Sequence, residues 1–588
     1  MAFLGREREL AQLAEAVRRV AEGRLGRVVL TGPAGIGCTR LLDELSDRVS
    51  SVPGVLACRG RAYEPAQGMP YQAVGEALAC SFDKLPDERV PHVVGNAAAD
   101  LSAVVPGLAQ RLDVLGIDRD PPELEAPDLI GRRVLESLLG VLERMANGGV
   151  CLLVLEDLHH ADPATRKFIE ALQYVGRSLP VCLVLTYQPE EVHRRHAMQA
   201  LAARLIADPE VVRIELGPRE SAQVEELVTD ALGEPPARNV LTAVTAGARG
   251  NPLIALELAR SASSLVDVRL SDSFEQLYGA RIASLSPDAA RAVRVLAAAG
   301  VPLLAGTLLD LRLPDGRPTV KGLEEASSGG FIVERGERLA ISHELCAEAV
   351  EAITLTPERQ ALHAAIADRL ADEPALAAWH WERAARPTEA RAAHEDAAAN
   401  ASELDPAESV LLHFEAALEL PSLEPADRRS EAALLAGAAR ASALAGSFRG
   451  AVALMRRAID SRAARQASAT RGSRDAATRI ELGEMYEELG RYQWNAGDLN
   501  GAIESMERAL GVIPPEPSRS RAWVLASLAQ HLMIDGRYDE SIANVNEAFE
   551  VADVVDAAGE DVLEIRAHAT CTLGVDVALR GDSEQGLV

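Results

Sequence analysis

The sequence predicts a multidomain protein in which an α/β region with a parallel sheet is followed by an all-α region. Three observations predict this architecture: a glycine-rich loop between a strand and a helix, short buried strands that alternate with helices up to about residue 215, and alanine-rich helical repeats from about residue 357. Because the chain has 588 residues, we expect three or four domains rather than one core.

The glycine-rich loop is the first candidate site. Residues 32–39, GPAGIGCT, match the phosphate-binding pattern G-x-x-x-x-G-K-[ST] at every fixed position except Cys38. A short strand at 27–31 precedes this loop and a helix at 39–49 follows it, and the backbone N–H groups of such a loop bind phosphate whatever its side chains are. The predicted nucleotide-binding residues here are Gly32, Pro33, Ala34, Gly35, Ile36, Gly37, Cys38, Thr39 and Arg40.

Cys38 stands where the pattern has a lysine, so the loop lacks the cation that normally bridges the β- and γ-phosphates. Losing one charge-assisted hydrogen bond costs about 1.5–3 kcal/mol. A thiolate favoured by the helix N-terminus would also repel phosphate. The loop therefore predicts weak nucleotide binding with little or no hydrolysis.

A second buried strand ends in two acids about 120 residues later. The apolar run 151–155 leads into Glu156 and Asp157, which we predict as the catalytic carboxylates, with Thr39 and Glu156 as the ligands of a nucleotide-bound Mg²⁺. The alternative is an acidic strand end that only caps the next helix. His159 and His160 follow, and we expect them to be surface or packing residues rather than metal ligands.

The middle of the chain predicts smaller elements. Further buried strands are expected at 55–59, 150–155 and 181–186, and the alternation with helices indicates a parallel sheet covered on both faces. Short helices follow residue 218, and three more are expected within 273–312. A β-hairpin around Arg335 and Gly336 completes a winged-helix outline.

The last third repeats itself. Related segments contain Gly446, Gly497, Gly536 and Gly581, 51, 39 and 45 residues apart, and each glycine is expected at a turn between paired helices where φ is positive. A tetratricopeptide-type superhelix is favoured over a generic array of helical hairpins. Because the fourth copy stops at Val588 without a cap, we expect the chain to be a fragment of a longer protein.

Composition limits the classes of function. The formal net charge of −28 argues against broad contact with nucleic acid, which requires a basic face. Seven scattered cysteines suggest neither a disulfide framework nor a zinc site. No apolar run approaches the roughly 20 residues of a membrane span, and the N-terminus has no signal peptide, so a cytoplasmic location is expected.

Four segments in order carry a family resemblance: 3–10, the glycine-rich loop, 155–162 and 250–253. Together they resemble the STAND class of AAA+-related ATPases, specifically the large ATP-binding LuxR/MalT-type transcriptional regulators. The resemblance implies a P-loop NTPase domain at 1–215, a helical lid at 216–268, a winged-helix domain at 269–355 and tetratricopeptide-like repeats at 356–588. It also implies ATP or ADP between the first three domains and an inducer, protein or small molecule, at the repeats. DNA would be bound only through a C-terminal domain absent from these residues.

By the same resemblance, Gly5, Arg6 and Pro252 would lie near the adenine and His343 would reach the diphosphate. A histidine that merely packs at a strand end is an equal alternative for His343. This chain departs from the family at Cys38, at Glu156, where the family usually has Asp, and at Gln188, where Thr-x-Arg would place an arginine.

The leading hypothesis is a nucleotide-dependent regulator that binds ATP or ADP weakly and hydrolyses it poorly. A second is a scaffold whose ATPase domain is vestigial and whose repeats bind a protein. A third is an active ATPase that uses a substitute arginine, either Arg40 or one from a neighbouring subunit. Homo-oligomerisation is left open.

Overall fold

The structure, a computed structural model, describes residues 3–22, 26–119, 127–146, 148–174, 179–193, 196–264, 274–401, 406–421, 431–468 and 476–581. The chain divides into two compact units, Met1–Ser409 and Val410–Val588.

The first unit contains both sheets of the described chain. Its strands are β1 Gly26–Thr31, β2 Val55–Arg61, β3 Val150–Glu156, β4 Val181–Tyr187, β5 Val212–Glu215, β6 Leu303–Leu304, β7 Ile332–Arg335 and β8 Arg338–Ile341. Its helices are α1 Glu7–Val20, α2 Cys38–Ser50, α3 Gln72–Phe82, α4 Val90–Val94, α5 Ala98–Val104, α6 Leu108–Val114, α7 Pro127–Ala146, α8 Pro163–Tyr174, α9 Gln199–Ala207, α10 Ser221–Leu232, α11 Arg238–Ala248, α12 Pro252–Ser264, α13 Phe274–Ala283, α14 Pro287–Ala299, α15 Ala305–Asp310, α16 Val320–Ser328, α17 Glu344–Ile353, α18 Thr356–Arg369, α19 Pro374–Arg383 and α20 Pro387–Ala399. Short 3₁₀ turns lie at Glu64–Ala66, Asp87–Arg89, Gly95–Ala97 and Leu158–His160.

The remaining helices are α21 Ala407–Glu419, α22 Glu431–Leu444, α23 Phe448–Ser468, α24 Ala476–Asn495, α25 Leu499–Val512, α26 Arg519–Ile534, α27 Tyr538–Ala557 and α28 Leu563–Leu579. Among the described residues, none of the helices combines the length and the apolar character needed to cross a membrane.

The large sheet has five parallel strands in the order β2-β3-β4-β1-β5. β3 and β4 are buried along their whole length because helices cover both faces of the sheet. Alternate residues face the two sides: Leu152 and Val154 join the core under α1 and α2, whereas Leu153 and Leu155 join the core under α3, α7 and α8. The expected parallel sheet with two covered faces is confirmed.

Four of the five strands lie within one or two residues of their predicted bounds. The strand β5 was not predicted, because it has only four residues and only one of them, Ile214, is buried. β5 pairs with β1 at the sheet edge, and the chain then runs past Gly217 toward α10. Its course brings the 216–219 segment next to the N-terminal residues.

The predicted β-hairpin is present, and β6 extends it to a three-stranded antiparallel sheet in the order β6-β8-β7. The core beneath it includes Leu303, Phe331 and Ile332 together with residues of α13, α14 and α17, and it continues into α18–α20. The winged-helix identity of this region and the domain limits at 215, 268 and 355 remain predictions.

The second unit is formed by helical hairpins. The glycines at 446, 497 and 536 lie in the turns of the α22–α23, α24–α25 and α26–α27 pairs, with φ of +80°, +88° and +82°, as expected from the repeats. Gly581, with φ of +107°, follows α28, and the rest of the fourth predicted copy lies outside the described residues.

We expect Gly497→Ala to weaken the α24–α25 hairpin, because an L-residue in the left-handed region costs about 1–2 kcal/mol. The matched control is Gly511→Ala in α25, where added Cβ atoms also meet open space but φ is helical. That change should stabilise the hairpin by about 0.5–1 kcal/mol. Hydrogen exchange over residues 476–512 measures the opening free energy, and equal values for the two variants would contradict the role of the turn.

Candidate nucleotide site

The loop between β1 and α2 keeps the shape of a phosphate-binding loop. Gly35 and Gly37 have φ of +76° and +105°, and the Ile36 amide donates to the Pro33 carbonyl at 3.2 Å. The N-cap of α2 is Gly37, which has no side chain to bond the first turn, and the first N–H groups of a helix have no partner within the helix itself. A Cβ added to Gly37 would meet no atom within 4 Å. The loop therefore presents donors to open space.

The opposite side of the loop is packed against two other segments. Asn251 donates from Nδ2 to the Ala34 carbonyl at 2.9 Å, while its Oδ1 accepts from the amides of Leu253 and Ile254 at 3.0 and 3.3 Å and so caps α12. A Cβ on Gly35 would lie 3.1 Å from Leu345 Cδ1. The segment after residue 248 and the first turn of α17 thus both contact the loop.

Two arginines from β2 surround Glu156 at the end of β3. The register pairs Arg61 with Glu156, and Arg59 precedes it by two residues on the same face. Arg59 Nε donates to Glu156 Oε1 at 2.5 Å, and Arg61 Nη2 donates to Glu156 Oε2 at 3.1 Å. Glu156 is 2% exposed, so this carboxylate is buried with two guanidinium groups.

Thr39 joins the same cluster from the start of α2. Its hydroxyl donates to Glu156 Oε2 at 2.9 Å and accepts from Arg61 Nη2, also at 2.9 Å. Thr39 Oγ1 and Glu156 are the two predicted ligands of Mg²⁺. Both are bonded to Arg61, so an ion could reach them only by displacing that guanidinium, and their assignment as metal ligands remains a prediction.

The two predicted catalytic acids have different electrostatic surroundings. Burial by itself would raise the pKa of Glu156, but the charges and hydrogen bonds of Arg61 and Arg59 outweigh burial and hold the pKa at about 2. Burial raises the pKa of Asp157 to about 6, helped by Glu156 and opposed by Arg61. Asp157 has φ of +55°, and its amide donates to Thr186 Oγ1 at 2.9 Å. Glu156 is therefore firmly ionised, and Asp157 titrates near neutrality.

Cys38 lies at the first position of α2. Burial, together with the nearby charges of Asp157 and Glu156, raises the pKa of the Cys38 thiol to about 12. The expectation of a thiolate was wrong, because the two carboxylates and desolvation outweigh the helix N-terminus. A neutral thiol neither attracts nor repels phosphate strongly.

Arg40 points away from the cluster. It pairs with Glu44 one helical turn later, at 3.4 Å, and its guanidinium lies 5.7 Å from the ring centre of Phe3. The structure places this side chain on the outer surface of α2, 45% exposed.

The residues expected near the adenine converge beside the loop. Arg6 is 8% exposed and donates to the carbonyl of Gly217, and Arg219 donates to the carbonyl of Leu4. A Cβ on Gly5 would lie 2.8 Å from Arg219 Nη1. Pro252 is buried at the start of α12. The N-terminal segment, the 216–219 segment and α12 therefore meet in one region.

His343 and its neighbours close the site from the other side. His343 precedes α17, and its Nδ1 accepts from the Leu345 amide at 3.1 Å, which caps the helix. Burial lowers the pKa of His343 to about 4, and the charge of Arg61 acts in the same direction. His343 is therefore neutral near Arg61, and its contact with a diphosphate remains a prediction.

His160, Glu344 and Gln188 connect the end of β3 to α17. His160 Nε2 lies 3.2 Å from Glu344 Oε1, and Gln188 Nε2 donates to Glu344 Oε2 at 3.0 Å. His159 is 2% exposed, in agreement with a packing role. His159, His160 and Glu344 place ligand-type atoms within 4.8 Å of one another. Glu344 is bonded to both His160 and Gln188, so the arrangement joins the residues that follow β3 and β4 to α17.

Arg59 and Arg61 are the functional residues that the sequence analysis missed. The predicted strand stopped at 59, whereas β2 continues to Arg61, where the register meets Glu156. The sequence does contain a signal for them. Arg59 and Arg61 are two residues apart at the carboxyl end of β2, and the carboxyl ends of neighbouring parallel strands, here with the acids of β3, lie at the same edge of a sheet.

We expect His160 to titrate above its ordinary pKa of 6.5. Burial lowers the pKa of His160, but the hydrogen bond and charge of Glu344 outweigh it. In Glu344→Gln burial remains and the carboxylate is lost, so the pKa of His160 should fall relative to the wild type, while the charges of Glu64 and Asp157 still act to raise it. Histidine Cε1 resonances followed by NMR against pH test this, with assignment from His160→Gln.

His159 is the internal control, because burial and His160 lower its pKa to about 3 and its signal should not titrate between pH 5 and 8. A His160 signal that titrates alike in the wild type and in Glu344→Gln would contradict the ion pair.

Comparison with known proteins identifies the first part of the chain. Residues 2–184 match the AAA ATPase domain. An uncharacterized protein of Rhizobium meliloti is 24% identical over 64% of this chain, and the chain spans 38% of the length of that relative.

Two of the solved structures that are similar to this chain are distant from it in sequence. A signal transduction ATPase with numerous domains (STAND) that carries a tetratricopeptide repeat sensor, from Pyrococcus horikoshii, is 14% identical with a TM-score of 0.41 over 99% of this chain and 81% of that one. A Walker-type ATPase of Pyrococcus abyssi is 12% identical with a TM-score of 0.26 over 59% of this chain and 96% of that one. At these values neither likeness carries an argument about function. Residues 2–184, which include the loop and the acidic strand, are thus similar to an AAA ATPase domain.

Proposed function

We propose that this protein is a nucleotide-dependent regulator that binds ATP or ADP weakly at the loop 32–39 and hydrolyses ATP poorly. One observation carries the proposal: an uncapped helix N-terminus and an open Gly37 face lie beside Thr39 and Glu156 within an AAA ATPase domain. The residues fit a diphosphate or triphosphate because backbone donors of α2 remain available to its oxygens. A bound nucleotide would supply the phosphates that these donors hold.

The charges around Glu156 support poor hydrolysis. A general base must take a proton from the attacking water, whereas the bonds of Glu156 to Arg59, Arg61 and Thr39 hold its pKa at about 2 and make it a weak base. Cys38 brings no charge to the phosphates, and Gln188, which stands where the family usually has an arginine, donates to Glu344. Asp157 is the acid left for proton transfer, but its left-handed backbone and its pairing with Arg61 constrain it.

The contacts of the loop suggest how a bound nucleotide would be sensed. Asn251 and Leu345 belong to the proposed lid at 216–268 and the proposed winged-helix domain at 269–355, and both touch the loop. A ligand that shifts the Ala34–Gly35 backbone must therefore alter both contacts. We assign to these two segments the role of transmitting nucleotide state.

The helical repeats are proposed to bind the inducer. A cavity of about 290 Å³ lies among α23, α24 and α25 and is lined by polar and aromatic side chains that include Arg456, Tyr486, Gln493 and Arg508. A site of this composition suits a polar ligand or peptide. A LuxR-type role in transcription, DNA contact through a further domain, self-association and a cytoplasmic location remain predictions.

The scaffold alternative has one observation in its favour. The charge of Glu156 is already paired with Arg59 and Arg61 without any ligand, as expected of a domain that retains its fold but no longer binds nucleotide. The alternative that relies on Arg40 lacks such support, because Arg40 lies on the outer surface of α2.

Calorimetric titration of the full chain with ADP and with ATP tests the proposal. We expect saturable binding of one nucleotide per chain and turnover below about 1 s⁻¹, an ordinary lower value for enzymes. The absence of any heat or thermal shift at millimolar nucleotide would favour the scaffold. Turnover above that rate would instead refute impaired hydrolysis.

Restoring the loop lysine is the second test. Cys38→Lys should tighten nucleotide binding by about tenfold to a hundredfold, the effect of one charge-assisted bond. The matched control is Cys80→Lys, which introduces the same charge at an exposed cysteine of α3. Equal affinities of the two variants would mean that residue 38 does not face the phosphates.

A further inference from the structure

Arg61 has an unusual set of contacts for a strand residue. Its Nη2 donates to Thr39 Oγ1 and Glu156 Oε2, and its Nε lies 3.3 Å from Asp157 Oδ2. The other terminal nitrogen, Nη1, has no hydrogen bond to any residue that the structure describes, and the side chain is 14% exposed. Nη2 is therefore held by Thr39 and Glu156, whereas the N–H groups of Nη1 remain available as donors.

The anchor points are the two groups that a phosphate-binding loop normally offers to magnesium. In such sites the loop Ser or Thr hydroxyl binds the ion, the acid at the end of the neighbouring strand holds it, and the ion bridges the β- and γ-phosphates. Here the guanidinium of Arg61 contacts both the hydroxyl and the carboxylate. It therefore places a positive charge where the ion would lie.

The charge of Arg61 is difficult to displace. Burial disfavours its charged form, but the carboxylates of Glu156 and Asp157 outweigh burial and raise the pKa of Arg61 above its ordinary value. Glu156 Oε1 is taken by Arg59, so rotating Glu156 toward a metal would break that bond as well. An incoming divalent cation would have to expel a guanidinium from a buried carboxylate.

We propose that Arg61 replaces both the missing loop lysine and the magnesium ion, so that this site takes ADP or ATP free of divalent metal. In this assignment the N–H groups of Nη1 donate to the phosphates while Nη2 stays on Thr39 and Glu156, and a planar guanidinium suits phosphate oxygens well. This inference rests on the proposed nucleotide binding and specifies the form of the ligand. It also accounts for weak hydrolysis, because the metal that bridges the transferred phosphate is not recruited.

Titration of the full chain with ADP and ATP, once in EDTA and once in excess Mg²⁺, tests the inference. The wild type should bind at least as tightly in EDTA as in Mg²⁺. Arg61→Met should weaken binding in EDTA by about tenfold to a hundredfold, the loss of one charge-assisted bond. The same variant frees Thr39 and Glu156, so Mg²⁺ should now tighten its binding. This reversal of metal dependence is the distinguishing result.

Arg48→Met is the matched control, because Arg48 is an exposed arginine of α2 that pairs with Glu44 outside the cluster. It should bind as the wild type does in both buffers. Arg61→Lys keeps a charge without the planar fork and should retain part of the EDTA affinity.

Arg61→Met leaves a buried carboxylate with one partner fewer, so its fold is checked by thermal unfolding. If it does not fold, Arg61→Met/Glu156→Gln removes both charges. That double variant should show the same loss in EDTA but no gain from Mg²⁺.

Two results would overturn the inference while leaving nucleotide binding intact: wild-type binding that requires Mg²⁺, or unchanged EDTA affinity in Arg61→Met. A chain that binds no nucleotide in either buffer, even as Cys38→Lys, would overturn the proposed function itself.

Discussion

A carboxylate buried between two arginines is the interaction on which the site depends. Glu156 lies at the carboxyl end of a fully buried strand, where an unpaired negative charge would be very unfavourable. Removing one partner from such a buried pair typically costs about 3–5 kcal/mol. The need to neutralise Glu156 explains why β2 extends to Arg61 and why Thr39 turns its hydroxyl inward.

This constraint also sets the chemistry of the neighbouring groups. Burial raises the pKa of Asp157 and the charge of Glu156 acts in the same direction, while burial together with the charge of Arg61 lowers the pKa of His343 and keeps it neutral. Burial, together with the same two carboxylates, raises the pKa of the loop cysteine and keeps it a thiol. The site is thus nearly balanced in charge before any ligand enters, unlike a loop whose free lysine awaits a phosphate.

Local sequence signals predicted much of the fold. The strands β1, β3 and β4 are each built around a continuous apolar run, so the local sequence predicts their positions. The glycines of the helical repeats likewise mark turns that require positive φ. β5 was not predicted because only one of its four residues is buried, which leaves no apolar run in the sequence to indicate a strand. Arg59 and Arg61 escaped because their importance comes from the register of β2 against β3, which joins residues almost a hundred positions apart.

The role of Asn251 also depends on a contact with a residue far away in the sequence. Its Nδ2 donates to the Ala34 carbonyl of the loop, and its Oδ1 accepts from the first turn of α12 and caps the N-terminus of that helix. If the loop and the helix separated, the Ala34 carbonyl and the Asn251 amide would therefore each lose a hydrogen bond. The Ala34 carbonyl and the first turn of this thirteen-residue helix thus share one side chain, and the Leu253 amide adds a second bond to the Gly35 carbonyl, so the position of the loop and the start of α12 are fixed together.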